Sequence, residues 1–200
     1  THKLLPNLAC VYGLLARLNM WVENYATAAQ YARMAINQSG AVPLTEAEML
    51  DVENGFNTTA PSSWMWGAQP RSDSPRVGNL VNWPSWMCNE ADFGYVSVAP
   101  VSIMPSFYNQ ISGEDIRRKL FKVSADGSEP HLQDGRFESL PKYASLKFRP
   151  YHGAVSDIDT GTLSAYPLMR VEEMYFIEAE AKAHVSLKEG VALLNDFMCR

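Results

Sequence analysis

Acidic and basic side chains at helical spacing are the first candidates for chemistry. Arg170 and Glu173 lie three apart and would share one face of a helix, with Glu180 two turns beyond. Such a cluster could move protons or hold a metal. The same spacing suits an Arg–Glu network that pins one helix to its neighbours. No histidine stands at ligand spacing among these acids, unlike the Glu-x-x-His of di-metal bundles, so the network is the expectation. Asp157 and Asp159 could in principle serve as a glycosidase pair. Flanked by Ser156, Thr160 and Gly161, they read better as a solvated loop. His2, His131, His152 and His184 are isolated, and there is no His-Glu-x-x-His, no Gly-x-Ser-x-Gly elbow and no phosphate-cradling glycine loop. Cys10, Cys88 and Cys199 fit neither a zinc site nor a disulfide framework. The sequence therefore reads as a binding protein, not an enzyme, with no catalytic residue, metal or cofactor.

Aromatic residues supply the second kind of chemistry. Trp64, Trp66, Trp83, Trp86, Phe93 and Tyr95 cluster in the middle of the chain. Sugars present apolar C–H faces on which flat rings stack at little entropic cost, while amides and charges read the hydroxyls. Asn79, Asn82, Asn89, Glu90 and Asp92 are polar groups of that kind. Trp64 and Trp66 alternate as strand residues do, which suits packing. Trp83-Pro84-Ser85-Trp86 is the better candidate, because Pro84 should hold Trp83 extended and set the two indoles apart. Either these tryptophans bind a ligand or they pack the middle segment's own core. As ligand contacts we single out Trp83 and Trp86, Tyr95 as a third ring, and Asn82 and Asp92 as hydrogen-bonding partners.

Composition narrows the partners. Charged residues make up 20% of the chain and the net charge is -5, which argues against a nucleic-acid partner. No stretch of about 18 apolar residues exists to span a membrane. Apolar helical periodicity begins at Leu4 without a cap and continues to Arg200 without a stop signal, so the chain is expected to be an internal segment of a longer protein.

The elements that must position these residues are helix pairs. Leu4, Leu8, Val11, Tyr12, Leu15 and Leu18 repeat at helical spacing, followed by Tyr25, Ala28, Ala29, Ala32, Ala35 and Ile36. Asn24 is a fitting N-cap and Gly40 with Pro43 a fitting stop. So short a link makes the two helices antiparallel, with Leu8, Tyr12 and Leu15 expected on Ala28, Ala29 and Ala32. A second pair runs from about Leu168 to His184, then from a Ser186/Glu189 capping box through Leu187, Val191, Leu194 and Met198. Arg170, Glu173 and Glu180 are expected to be buried there. Each pair has the shape of a tetratricopeptide unit. Between them, Thr45 and Glu48 could cap a short helix, and residues 103–110 could form another. Strands are expected at Ser63–Gly67, Gly94–Val98, Leu120–Val123 (with an Asp126-Gly127 turn) and Tyr143–Phe148. The expected fold is mainly α: tetratricopeptide-like helix pairs with a loop-rich insert carrying short strands. It forms a single domain divided as 1–40, 41–165 and 166–200.

The stretch Pro167-Leu168-Met169-Arg170-Val171-Glu172-Glu173-Met174-Tyr175-Phe176 with Ala179-Glu180-Ala181 resembles the Arg–Glu helix of the SusD/RagB-like outer-membrane nutrient-binding proteins. Asn195, Phe197 and Arg200 fit the segment that follows it there, with Met198 at an expected arginine. Upstream, Asn24-Tyr25-Ala26-Thr27-Ala28-Ala29 is similar to the family's Gly-Asn-Tyr-x-x-Ala turn, with Glu23 at the glycine. Pro105-Ser106-Phe107-Tyr108 through Asp115-Ile116-Arg117-Arg118, and Pro141-Lys142-Tyr143, follow in the family's order. The resemblance implies a surface-exposed lipoprotein of the outer membrane that captures oligosaccharides for a SusC-like TonB-dependent transporter. It implies membrane attachment only through a lipid anchor, which this sequence does not contain. A helical-repeat adaptor that binds protein alone is the alternative from another class.

Overall fold

The computed structural model describes residues 3–51, 53–73, 82–123 and 140–199. In chain order the elements are α1 (Leu8–Trp21), α2 (Tyr25–Ser39), α3 (Glu46–Leu50), β1 (Trp64–Ala68), α4 (Trp83–Met87), a 3-10 turn (Tyr95–Ser97), α5 (Pro105–Tyr108), two further 3-10 turns (Ile116–Leu120 and Tyr151–Gly153), α6 (Ile158–Gly161), β2 (Tyr166–Arg170), α7 (Val171–Val185) and α8 (Leu187–Met198). Strands β1 and β2 pair with each other. The fold is mainly α, with helix pairs at both ends and a loop-rich middle. It divides into two compact units: Thr1–Leu44 with Ser62–Gly67 and Pro167–Arg200, and Thr45–Pro61 with Ala68–Tyr166. Residues Ser62–Gly67, assigned to the insert from the sequence, belong to the helical unit.

In the helical unit α1 packs on α2, α7 packs on both, and α8 packs on α7. Helix α1 turns a different face inward from the one expected. Ala9, Cys10, Gly13 and Ala16 are buried, while Leu8, Val11 and Leu18 are exposed. The small residues let α1 approach its neighbours closely: a Cβ on Gly13 would lie 2.4 Å from Met169 Sδ. Because Arg17 is the helix's one charged side chain, apolar periodicity could not choose between faces. Helix α2 buries Ala28, Ala29, Ala32, Ala35 and Ile36 as expected, and Gly40 ends it at φ 64°. Helix α7 begins at Val171, later than the sequence suggested. Tyr166–Arg170 form β2 instead, and Val171 N–H continues the pairing by donating to Ser63 O at 2.9 Å. The Ser186/Glu189 box is absent, with no side-chain cap at Ser186 and Glu189 3.4 Å from Lys182.

Arg–Glu contacts do bind this unit together, on partly different residues. Arg17 donates from Nε and Nη2 to the two Glu173 oxygens at 2.5 and 2.6 Å, and from Nη2 to Leu168 O at 2.8 Å. Arg33 grips Glu178 at 2.9 and 2.5 Å. Glu172 accepts from Leu44 N–H at 2.9 Å and lies 3.7 Å from Arg170. Glu180, expected in this network, is exposed. It stands two residues past Glu178, about 200° around the helix, so it points away from the face Glu178 uses.

The second unit is held by loops more than by regular structure. The Thr45/Glu48 capping box forms at α3. The strands expected at 120–123 and 143–148 reduce to single bridges, Phe121 to Ser145 and Ser102 to Ala144, and Tyr143 takes φ 70°. The Asp126-Gly127 turn lies outside the described residues. Residues 94–98 form a 3-10 turn after Gly94 at φ 75°, not a strand. Its apolar clusters include Cys88, Ala91, Phe93 and Val96 packed with Phe148 and Ile158, and a separate group of Leu140, Ala144 and Leu146. Asn57, Asn89, Glu90, Arg149 and Ser164 are buried among these loops. Asn57, Asn89 and Ser164 bond backbone groups there, and Glu90 pairs with Arg149.

Candidate functional site

All five sequence-selected ligand residues lie in one segment, from Asn82 to Tyr95. Asn82 is extended (φ -141°, ψ 159°) and caps α4, its Oδ1 accepting from Ser85 N–H at 3.0 Å and from Ser85 Oγ at 2.9 Å. Trp83 is the first helical residue, so Pro84 sits in the first turn, where proline is tolerated, instead of holding Trp83 extended. The Trp83 ring packs edge-on against Phe148 at 5.2 Å and Tyr166 at 5.8 Å. Its Nε1 is buried with no acceptor among the described residues. Burial pushes the Tyr166 phenol upward, against a hydrogen bond with the Trp83 backbone. Trp83 is thus half-buried, with its ring packed on other aromatics.

Trp86, one turn on, faces solvent. It is 52% exposed and Tyr95 41%, and their rings contact each other at 4.3 Å between centroids with a 35° tilt. The two indoles, expected to be held apart as ligand contacts, have different surroundings: Trp83 packs on Phe148 and Tyr166, and Trp86 on Tyr95. Asp92 is exposed in the same segment, and its N–H donates to Val155 O at 2.9 Å. Gly94 brings the two rings together. A Cβ there would lie 2.4 Å from Ser85 Cβ and 2.7 Å from Ser85 Cα, so only glycine allows the segment to close against α4.

Asn89 and Glu90, between the two ring residues in the chain, were read from sequence as hydroxyl readers. Instead, Asn89 Nδ2 donates to Val101 O and Ser145 O, both at 2.7 Å, and its Oδ1 accepts from Val101 N–H at 2.8 Å. Glu90 takes two hydrogen bonds from Arg149, at 2.5 Å from Nε and 2.8 Å from Nη2. Ser164 Oγ in turn donates to Arg149 O at 2.8 Å. Burial pushes the Glu90 carboxyl up to about 7, against the pull of Arg149. Burial also pushes the neighbouring Cys88 thiol upward. No spacing rule points to this Glu–Arg pair, whose members stand 59 residues apart. Asn79 lies outside the described residues. Asp157 caps α6, accepting from Asp159 and Thr160 N–H, which is the loop role expected of it.

Among the described residues no group of three or more His, Cys, Asp or Glu could hold a metal ion. Two cavities of about 260 and 220 Å³ are lined by residues of the helical unit, the larger by Phe176, Glu180, Val191 and Leu194 among others. Their walls hold no constellation of reactive groups.

Comparison with known proteins adds the fold's kinship. No family model and no curated protein matches the sequence. Among solved structures, the chain superposes on a SusD superfamily protein from Bacteroides thetaiotaomicron with a TM-score of 0.69 at 21% identity, over 100% of this chain and 42% of that one. A SusD-like carbohydrate binding protein from Bacteroides vulgatus gives 0.65 at 21% identity, over 98% and 37%. Surface glycan-binding protein A from Bacteroides thetaiotaomicron, in complex with laminarihexaose, gives 0.61 at 17% identity, over 96% and 47%. The chain spans less than half the length of each. What these likenesses establish is the fold.

Proposed function

We propose that this chain, which has a SusD-like fold, is part of a cell-surface protein that captures oligosaccharides and passes them to a SusC-like TonB-dependent transporter of the outer membrane. In this reading the whole protein is a lipid-anchored, surface-exposed lipoprotein. Carbohydrate binding in two of the structural neighbours supports the class of ligand. The observation that carries the reading is the Trp86–Tyr95 pair: two aromatic rings in contact and open to solvent, on a segment that also buries Ser85, Asn89 and Glu90 in hydrogen bonds. An exposed tryptophan contributes little to stability, and a ring face in water is what a sugar's C–H face stacks on. Asp92 supplies a carboxylate for hydroxyls, while Asn82 and Trp83 act from behind by fixing α4.

The test is calorimetry with a panel of hexasaccharides that includes laminarihexaose, on the parent and on Trp86→Ala. Loss of a stacking ring at a binding hot spot is worth at least about 2 kcal/mol, or roughly thirtyfold in affinity. The melting temperature should not move, because the ring is outside the core. Unchanged affinity in Trp86→Ala would remove the platform from the site. A second reading, a protein-binding adaptor, draws on the exposed Leu8, Val11 and Leu18 of α1. It predicts that no glycan of the panel binds at all.

A further inference from the structure

The segment between Trp86 and Tyr95 contains groups that stability alone does not call for. Asn89 is 0% and Glu90 3% exposed, and Arg149 is equally buried. Taking two charges out of water costs several kcal/mol per ion before their attraction offsets it. Apolar side chains of similar volume usually stabilise a core as well or better. What an apolar contact lacks is direction. A guanidinium held by both carboxylate oxygens fixes position and orientation together, and Asn89 does the same through three hydrogen bonds to two neighbouring strands of chain. Asn89 and Glu90 lie between the two ring-bearing positions in the sequence, and the close approach of Gly94 to Ser85 joins the two ends of that segment.

We propose that Asn89 and the Glu90–Arg149 pair are positioning residues, which hold the Trp86 and Tyr95 rings as one preformed platform for a sugar face. This rests on the reading of that pair as the glycan site. The mechanism is preorganisation: rings already fixed in their bound arrangement lose little freedom when the ligand arrives. The groups facing Glu90 are the Arg149 guanidinium and the Cys88 thiol. The thiol, shifted upward by burial, stays neutral, so the state of the pair follows Glu90 alone.

The decisive variant is Glu90→Leu with Arg149→Met, which removes both charges at similar volume. Two readouts need no ligand: the near-ultraviolet circular dichroism of the coupled rings, with Trp86→Phe as reference, and acrylamide quenching of Trp86. The double variant should keep its melting temperature within a few degrees. It should lose the ring signal, become more easily quenched, and bind the best hexasaccharide of the panel about tenfold or more weakly. A folded double variant with unchanged ring signal and quenching overturns the proposal, whatever its affinity. Should that variant not fold, Glu90→Gln decides. In the parent the ring signal should fall between about pH 8 and about pH 5.5 as Glu90 takes up a proton, and in Glu90→Gln it should be flat. A flat profile in the parent overturns the proposal as well. Failure of the glycan reading is seen separately, as unchanged affinity in Trp86→Ala with the ring signal still responding to the pair.

Discussion

Gly94 is the point at which backbone geometry and the candidate platform meet, and Gly94→Ala tests both. At φ 75° and ψ -165° the residue occupies a region open essentially to glycine, and an alanine there stores about 1–3 kcal/mol of backbone strain. The added methyl would meet Ser85 at 2.4 Å from Cβ, 2.6 Å from Oγ and 2.7 Å from Cα. Rotating Ser85 relieves only the contact with Oγ, because Cα belongs to the helix backbone. The turn must retreat by about 1 Å, and overpacking of that kind costs about 1–3 kcal/mol. Together the two effects come to about 2–6 kcal/mol, against a typical domain stability of about 5–15 kcal/mol. The variant should therefore fold but with reduced stability, and Tyr95, the next residue, should be carried away from Trp86. Urea denaturation followed by far-ultraviolet circular dichroism reads the first effect, and Trp86 quenching with calorimetry reads the second. Gly113→Ala is the control: nothing lies within 4 Å of its Cβ, and it should fall within about 0.5 kcal/mol of the parent. A Gly94→Ala protein as stable as that control, with full affinity, would refute the close approach and its role.

Two further outcomes follow from close packing and from burial. Gly190→Ala places a Cβ 2.4 Å from Ala183 Cβ and 2.5 Å from Ala183 N, so overpacking of about 1–3 kcal/mol should outweigh a helix-propensity gain of about 1 kcal/mol; a raised melting temperature would show that α7 and α8 do not meet so closely. Glu90 has its carboxyl raised from 4.5 to about 7 in the fold, so the folded chain keeps a proton that the unfolded chain releases. Its contribution is complete below about 4.5 and is lost as pH rises through about 7. It amounts to about 3 kcal/mol, and denaturation at a series of pH values should show this slope in the parent and not in Glu90→Gln.

What could be read from the sequence follows from which forces leave a local trace. The helix pairs did, because Ala28, Ala29, Ala32 and Ala35 repeat at helical spacing and Gly40 marks the end. The inward face of α1 did not, since Leu8, Val11 and Leu18 outrank Ala9, Gly13 and Ala16 on any hydrophobic scale, and close helix approach selects size over hydrophobicity. Glu180 was misplaced for a related reason: spacing shows which acids share a face, not which face meets a neighbour. In the middle of the chain, apolar alternation at 94–98 and 143–148 suggested strands, but Gly94 and Tyr143 at positive φ interrupt them. The aromatic segment was legible as a ligand candidate. The division of labour within it, Trp83 beneath and Trp86 outward, depends on Phe148 and Tyr166, which are distant in sequence.

The same distance hides from the sequence that Glu90 pairs with Arg149, and in the proposed reading that pair bears on binding through the freedom it removes. A loop with few apolar contacts would normally leave an exposed tryptophan free among its rotamers. Immobilising such a side chain on binding costs about 0.5–1.5 kcal/mol, so two free rings would forfeit about 1–3 kcal/mol, or roughly five- to hundredfold in affinity. Hydrophobic burial cannot remove that loss here, because the rings must stay in water to meet a ligand. Rigidity has to be imposed from below, through the backbone, and by contacts that fix direction. In the proposal Asn89, the bidentate Glu90–Arg149 pair and the Gly94–Ser85 contact do this from the chain between Trp86 and Tyr95 and its contacts. In this reading a unit built largely of loops presents a stiff aromatic surface because buried, directional contacts hold the backbone beside the rings.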